Sequence, residues 1–435
     1  MWKNPDIAFL YQLFRQSKGI SIDTRSLQQG EIFIAISGEN FNANTFASQA
    51  LEKGAAYAIV EDAAYSQHEK CILVNDTLEY LQNLARYHRQ QFDIPIIGIT
   101  GSNGKTTTKE LLAGVLSQHY RVHFTQGNLN NHIGVPLSLL RMPQNTEIAV
   151  IEMGANHLGE IAMLCNIAQP THGLITSIGK AHLEGFGSLE GVQQGKGELF
   201  HYLAQHQGTA FVFADDPKIS AISPQNIPCI TYGSHASCHV FASVADSKDF
   251  LHIKWHLSPQ NEVNISTYLL GLQHFGNVLA AIAVGNFFGL NTTNIAQGVA
   301  AYIPQNNRSE VHQWEGKTIV LDAYNANPNS MAAALHSLAK SDIRPRIAVL
   351  GDMAELGEYA PKEHQAILDL AQNLSIEHII LVGENFSALA TTYPHFENST
   401  EAGIWLKTQN FSEGIILIKA SRSVKMEKVW EILQT

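Results

Sequence analysis

The chain has 435 residues, 45% of them hydrophobic and 15% charged, a globular balance too long for one ordinary core, so two or three domains are expected. A formal charge of −11 argues against a nucleic-acid binder, which would normally show a basic face, so any anionic ligand must be gripped by local features. The four cysteines form no C-x-x-C pair, the start "MWKNPDIAFLYQLFRQSKG" has no signal-peptide pattern, and no apolar run reaches the ~18 residues of a membrane helix. A cytoplasmic protein with no membrane insertion is expected.

In chain order, residues 1–90 mix short strands ("GEIFIAIS", "AAYAIV", "KCILVN") with helices, and the helical pattern "TLEYLQNLARYHRQQF" runs into Pro95, a domain boundary. Residues 91–302 form a second unit. Its first half alternates the apolar strands "IPIIGIT", "EIAVIEM", "HGLITSI" and "TAFVFA" with helices, as in a mostly parallel sheet covered on both faces. The period-two stretches "HVFASVAD", "FLHIKWHL" and "EVNISTYLL" predict a small antiparallel sheet, and "NVLAAIAVGNFFG" a buried helix. Residues 303–435 repeat the strand–helix alternation ("KTIVLDA", "RIAVLGDM", "HIILVGE", "GIILIKAS") as a third unit. The fold class is therefore α/β in three domains.

"TGSNGKTTTKE" (100–110) lies between a strand and a helix. Backbone N–H groups of Gly101, Ser102, Asn103, Gly104 and Thr107, with the helix dipole, suit phosphate oxygens. Lys105 would reach the outer phosphates and the Thr106 hydroxyl an accompanying Mg²⁺. The general phosphate-loop template wants glycine where Ile99 stands. Glu152 ends the strand "EIAVIEM", where open α/β sheets place ligands, and with Thr106 makes an oxygen-rich Mg²⁺ site.

Further segments follow in order: "SIDTRSLQQGEIFIAISG", "GNLNNHIGVPLSLL", "IEMGANHLGEI", "SIGKAHLEGFGSLEGVQQGKGELF", "NNRSE", "LDAYNANPNSMAAAL", "LGDMAELGEYAPKEHQ" and "LIKASRSVKME". With the phosphate loop they resemble the Mur ligase family over nearly the whole chain. Within the family they resemble the branch that joins D-alanyl-D-alanine to a UDP-N-acetylmuramoyl-tripeptide in peptidoglycan precursor synthesis; "DAYNANPNSM" is the most specific segment. Other ligases of the superfamily, adding glutamate or a third amino acid, are the alternative, disfavoured by that segment and by the missing "DNPR". A nucleotide-binding protein without turnover is a third reading.

The resemblance implies an N-terminal domain for the UDP moiety, a central ATPase domain and a Rossmann-like C-terminal domain for the incoming dipeptide, acting as a monomer. It implies ATP and Mg²⁺ as cofactors and an acyl-phosphate intermediate. It assigns His182 to a second Mg²⁺ or the acyl phosphate, and Lys196, if carbamylated, to metal support. Asn277, Arg308, Asp322, Tyr324 and Asn325 would surround the nucleotide, with Arg308 reaching across from the third domain. Ser21, Thr24 and Arg25 would bind UDP; Asn128, Asn130, Asn131 and His132 the muramoyl-peptide; Lys419, Ser421 and Arg422 the dipeptide carboxylate. The chain departs from the family at Asn42–Asn44, Gly195, "FADD" (213–216), Gln273–His274 and Ala420.

Overall fold

The computed structural model describes residues 2–435 except 249, 259, 390 and 410. Three sheets succeed one another along the chain. The first has five parallel strands, with Ile32–Ile34, Tyr57–Val60 and Cys71–Leu73 flanked by Ile20–Ser21 and Trp2–Lys3. The helix Thr77–Arg89 closes this unit. Its start is set by Asp76, whose side chain accepts from Glu79 N, and its Leu81, Leu84, Ala85 and His88 face is buried.

The second sheet has nine strands. Its centre, Ile96–Thr100 between Ile148–Glu152 and His172–Ile175, runs parallel, and the first two strands are buried at every residue. That accounts for their unbroken apolar sequence. The antiparallel strands Val240–Asp246, His252–Ser258 and Asn261–Ser266 continue this sheet rather than forming one of their own. The helix Phe275–Phe287 is buried over Asn277–Gly285 and packs on the helix Lys105–Leu116, so its apolar character extends all round.

The third sheet has six strands, five of them parallel. The sixth, Glu310–Trp314, pairs antiparallel with Lys317–Asp322; the polar residues of "EVHQW" hid it from the pattern reading. Both larger sheets turn the carboxyl ends of their parallel strands toward one cleft, whose walls include Glu152 from the central sheet and Asp322 and Lys419 from the third. Among the described residues no helix is long and apolar enough to cross a membrane.

Candidate active site

The cleft holds about 670 Å³ between the second and third sheets. Its floor is the loop Gly101–Gly104 and the first turn of the helix Lys105–Leu116. Gly101 has φ +146° and backs so closely on Thr176 and Ser177 that no Cβ fits; Gly104 has φ +83° and lies against the Asn277 amide. The template glycine is dispensable at Ile99 because that residue is still inside the strand, paired with Glu152 and Leu174 and fully buried. Ser102 exchanges hydrogen bonds with Gly179, each 3.0 Å, and Asn103 N donates to Ser177 Oγ at 2.9 Å. The loop is thus pinned to the next strand's loop.

Lys105 Nζ folds back on the carbonyls of Gly101 (2.7 Å) and Ser102 (3.4 Å). Burial pushes its ammonium below the ordinary lysine range, opposed by the Glu152 charge. Glu152 is buried: its Oε1 accepts from Thr106 Oγ1 at 3.2 Å and from Asn130 Nδ2 at 2.7 Å, while Oε2 is buried with no donor. Asn130, expected at the muramoyl-peptide, therefore also holds this carboxylate. The nearest cation to Oε2 is Lys109 at 4.0 Å, a fully buried lysine that also contacts Glu110 at 3.0 Å and was not singled out from sequence.

An orphaned carboxylate oxygen beside a threonine hydroxyl and a phosphate loop fits a hard divalent cation. Among the described residues no cluster of three or more His, Cys, Asp or Glu surrounds it.

His182 lines the cleft at φ +52°. Its Nδ1 lies 2.5 Å from Glu355 Oε2 of the third domain. That contact holds the Glu355 carboxyl below its ordinary range. Glu355, in "GDMAELG", was not assigned from sequence. Lys196 does not reach the cleft wall: it is fully buried, Nζ donating to Ala155 O at 2.8 Å and lying 4.9 Å from the Phe186 ring. Burial and then the Lys105 charge push its ammonium well below the ordinary range, against Glu160 and Glu198.

The third domain contributes Arg308, whose guanidinium stacks 3.6 Å from the Tyr324 ring. The antiparallel pairing and a Tyr324 N–H to Asn307 O bond of 3.0 Å bring them together. Asp322 Oδ2 accepts from Lys419 Nζ at 2.6 Å, and Lys419 also donates to Asn325 O at 3.1 Å. Asn277, buried, and His274 complete this end. Burial lowers the His274 imidazole to about 4, so it is neutral near pH 7.

Asn128, Asn131 and His132 also line the cleft, and Asn131 Oδ1 accepts from Gly134 N at 2.8 Å. Other expected ligand residues are placed differently. Ser421 is buried and bonded to Ala354 N and Ala326 O, stapling two loops rather than facing a ligand. Arg422 lies outside the cleft lining, 3.4 Å from Glu427. Ser21 and Thr24 bond within the N-terminal domain, to Asp23 O and Gln49 Oε1, and Arg25 pairs with Asp23 at 2.7 Å; none of the three touches the cleft. Asn44 is likewise internal, donating to Ser37 and accepting from Glu61 N.

Three family models match in succession: "Mur ligase family, catalytic domain" over 16–89, "Mur ligase middle domain" over 99–285 and "Mur ligase, glutamate ligase domain" over 307–422. This chain belongs to the Mur ligase family. Among Mur ligases it is 36% identical to the UDP-N-acetylmuramoyl-tripeptide–D-alanyl-D-alanine ligase of Bacillus subtilis, covering 94% of this chain and 92% of that one. The protein of the same name from Escherichia coli is 35% identical, with 95% and 93% covered. MurF from Acinetobacter baumannii superposes with a TM-score of 0.87 at 32% identity over 97% of both chains. MurF from Thermotoga maritima, solved with ADP, gives 0.86 at 25% identity over 97% of this chain and 98% of that one.

Proposed function

We propose that this Mur ligase joins D-alanyl-D-alanine to a UDP-N-acetylmuramoyl-tripeptide at the expense of ATP, forming a peptidoglycan precursor. The observation that carries the reading is the cleft itself. Two sheets bring a phosphate loop and a metal-ready carboxylate opposite an arginine from another domain, in a chain whose relatives bear that activity in their names.

A carboxylate resists attack by an amine because it is anionic and offers a poor leaving group. Transfer of the ATP γ-phosphoryl to the tripeptide carboxylate makes an acyl phosphate. The dipeptide amine then attacks its carbonyl carbon, the C–N bond forms, the C–O bond to phosphate breaks, and phosphate departs. Two anions must first meet, so cationic groups have to crowd one place. We assign that task to Lys105 and the loop N–H groups on the phosphates and to Arg308, held flat by Tyr324, on the side from which the third domain closes. We assign Asp322, steadied by Lys419, to the ribose hydroxyls and Asn277 to the nucleotide side of the cleft. Mg²⁺ held by Thr106 and Glu152 would supply charge neutralisation and Lewis-acid polarisation.

Lys196, whose buried amine is biased toward the neutral form that reacts with CO₂, is the carbamate candidate; as an anion it would support a second cation together with His182. Arg422, outside the cleft and only loosely paired, is the group we assign to the dipeptide carboxylate in place of Lys419 and Ser421. Ser21, Thr24 and Arg25 remain the candidates for UDP.

The test incubates the purified chain, ATP and Mg²⁺ with UDP-muramoyl-tripeptides ending in diaminopimelate or lysine, with and without D-alanyl-D-alanine. Phosphate release that depends on the dipeptide, with a product of the pentapeptide mass, is expected. Release indifferent to the dipeptide overturns the assignment.

A further inference from the structure

We propose that Asn103 and Asn327 form an amide latch through which occupancy of the phosphate loop and docking of the third domain favour one another. The two side chains are 224 positions apart and exchange both of their polar atoms: Asn327 Nδ2 donates to Asn103 Oδ1 at 2.7 Å and Asn103 Nδ2 donates to Asn327 Oδ1 at 3.3 Å. Each is fixed from behind. The Asn103 backbone is held by Ser177 Oγ at its N–H and by the hydroxyls of Thr176 and Ser177 at its carbonyl. Asn327, 6% exposed, caps the helix Pro328–Lys340: its Oδ1 accepts from Ser330 N at 2.9 Å and its N–H donates to Ser330 Oγ at 3.0 Å. The pair therefore joins two rigid elements rather than two flexible side chains.

Asn103 lies in the loop that must wrap the phosphates, while Asn327 ends the segment "DAYNAN" that carries Asp322 and Tyr324. A docked third domain fixes the Asn103 amide and so favours the shape in which the loop N–H groups take a phosphate, and a phosphate bound there favours the same shape and hence the docking. Such linkage is reciprocal. Neighbouring contacts support the same docking: Lys180 N donates to Asn329 Oδ1 at 2.7 Å and Lys180 Nζ to Glu363 Oε1 at 2.6 Å. Neither involves the phosphate loop. The latch is thus distinguished by where it attaches, and both asparagines are positioning residues. The inference rests on the reading that this loop holds ATP.

The experiment uses the full chain with ADP and a non-hydrolysable ATP analogue. Closure is read by small-angle scattering, affinity by calorimetry, for Asn103→Ala, Asn327→Ser and the double variant. Serine keeps the helix cap, and Asn103→Ala touches no cap, so one variant reports even where the other unfolds. Each single variant should bind nucleotide about 5–30-fold more weakly, the loss expected for one or two hydrogen bonds, and should remain more open when nucleotide is bound. The double variant should be no worse than the poorer single one. Unchanged closure, or losses that multiply in the double variant, overturns the latch. A chain that closes on nucleotide through these residues yet joins no dipeptide would refute the ligase reading and leave the latch standing.

Discussion

Lys419→Met separates two roles for a lysine at the end of a strand. From sequence it reads as a ligand for the dipeptide carboxylate. In the fold its side chain is 2% exposed, 2.6 Å from Asp322 Oδ2, with a second bond to Asn325 O. Removing one member of a buried pair typically costs ~3–5 kcal/mol, because the partner stays desolvated. Asp322 keeps a 20% exposed side chain, which places the cost near the lower end, ~3 kcal/mol. For a unit of this size that is a fall of roughly 10 °C in its melting transition. Three of the five tryptophans, Trp314, Trp405 and Trp430, lie in the third unit, so tryptophan fluorescence reports chiefly on its unfolding. Replacing both partners, Lys419→Met with Asp322→Leu, should recover most of the stability and none of the nucleotide affinity. Should Lys419→Met melt like the parent and raise only the dipeptide KM, the pairing argument is wrong and lysine is a ligand after all.

Lys196→Ala should lower kcat about 10–100-fold or more, the scale of groups that support a metal site, with partial recovery in short carboxylic acids that fill the vacated space; full activity in the variant would eliminate the carbamate. Asn130→Ala should weaken Mn²⁺ binding about 10–100-fold by freeing Glu152, measured by electron paramagnetic resonance with no substrate present; a change confined to tripeptide KM would return Asn130 to the substrate. His88 is buried between Tyr11 OH and Met142 O, and burial lowers its imidazole to about 4. The folded pKa lies below the unfolded value of ~6.5, so its stabilising contribution is complete above that value and is lost as pH falls toward 4, by ~2 kcal/mol at pH 5. His88→Gln should flatten the pH dependence of unfolding by about one proton over that window, and an unaltered slope would refute the assignment.

Local patterns carried most of the architecture, because the strands that build each sheet are short apolar runs bounded by helices. The phosphate loop was legible for the same reason: strand, glycines, lysine and helix are contiguous, and so is Glu152 at its strand end. Residues whose neighbours come from far along the chain were not. Lys419 meets Asp322 because two parallel strands pair in register, Asp322 opposite Lys419, and nothing within ten residues of either announces it. Glu355 meets His182, and Asn327 meets Asn103, only across a domain boundary. The polar hairpin strand Glu310–Trp314 escaped the pattern yet is what swings Arg308 onto Tyr324.

Those hidden contacts also explain how a chain of charge −11 collects anions. Lys109, Lys196 and Lys419 are buried at 0%, 0% and 1% exposure, each near carboxylates or carbonyls, behind or beside the cleft. A buried ammonium is tolerated only where such partners offset its desolvation. Lys419 pairs with Asp322, the carboxylate assigned to ribose, and so holds it in place, whereas Lys109 pairs with Glu110 at 3.0 Å and stays 4.0 Å from Glu152 Oε2. That leaves Lys105 and Arg308 without a salt-bridge partner among the described residues, facing the cleft, where the phosphates would lie. The positive charge available to phosphates is thus local, two side chains and a helix end, set among the Glu152, Glu160, Asp322 and Glu355 carboxylates that also line the cleft.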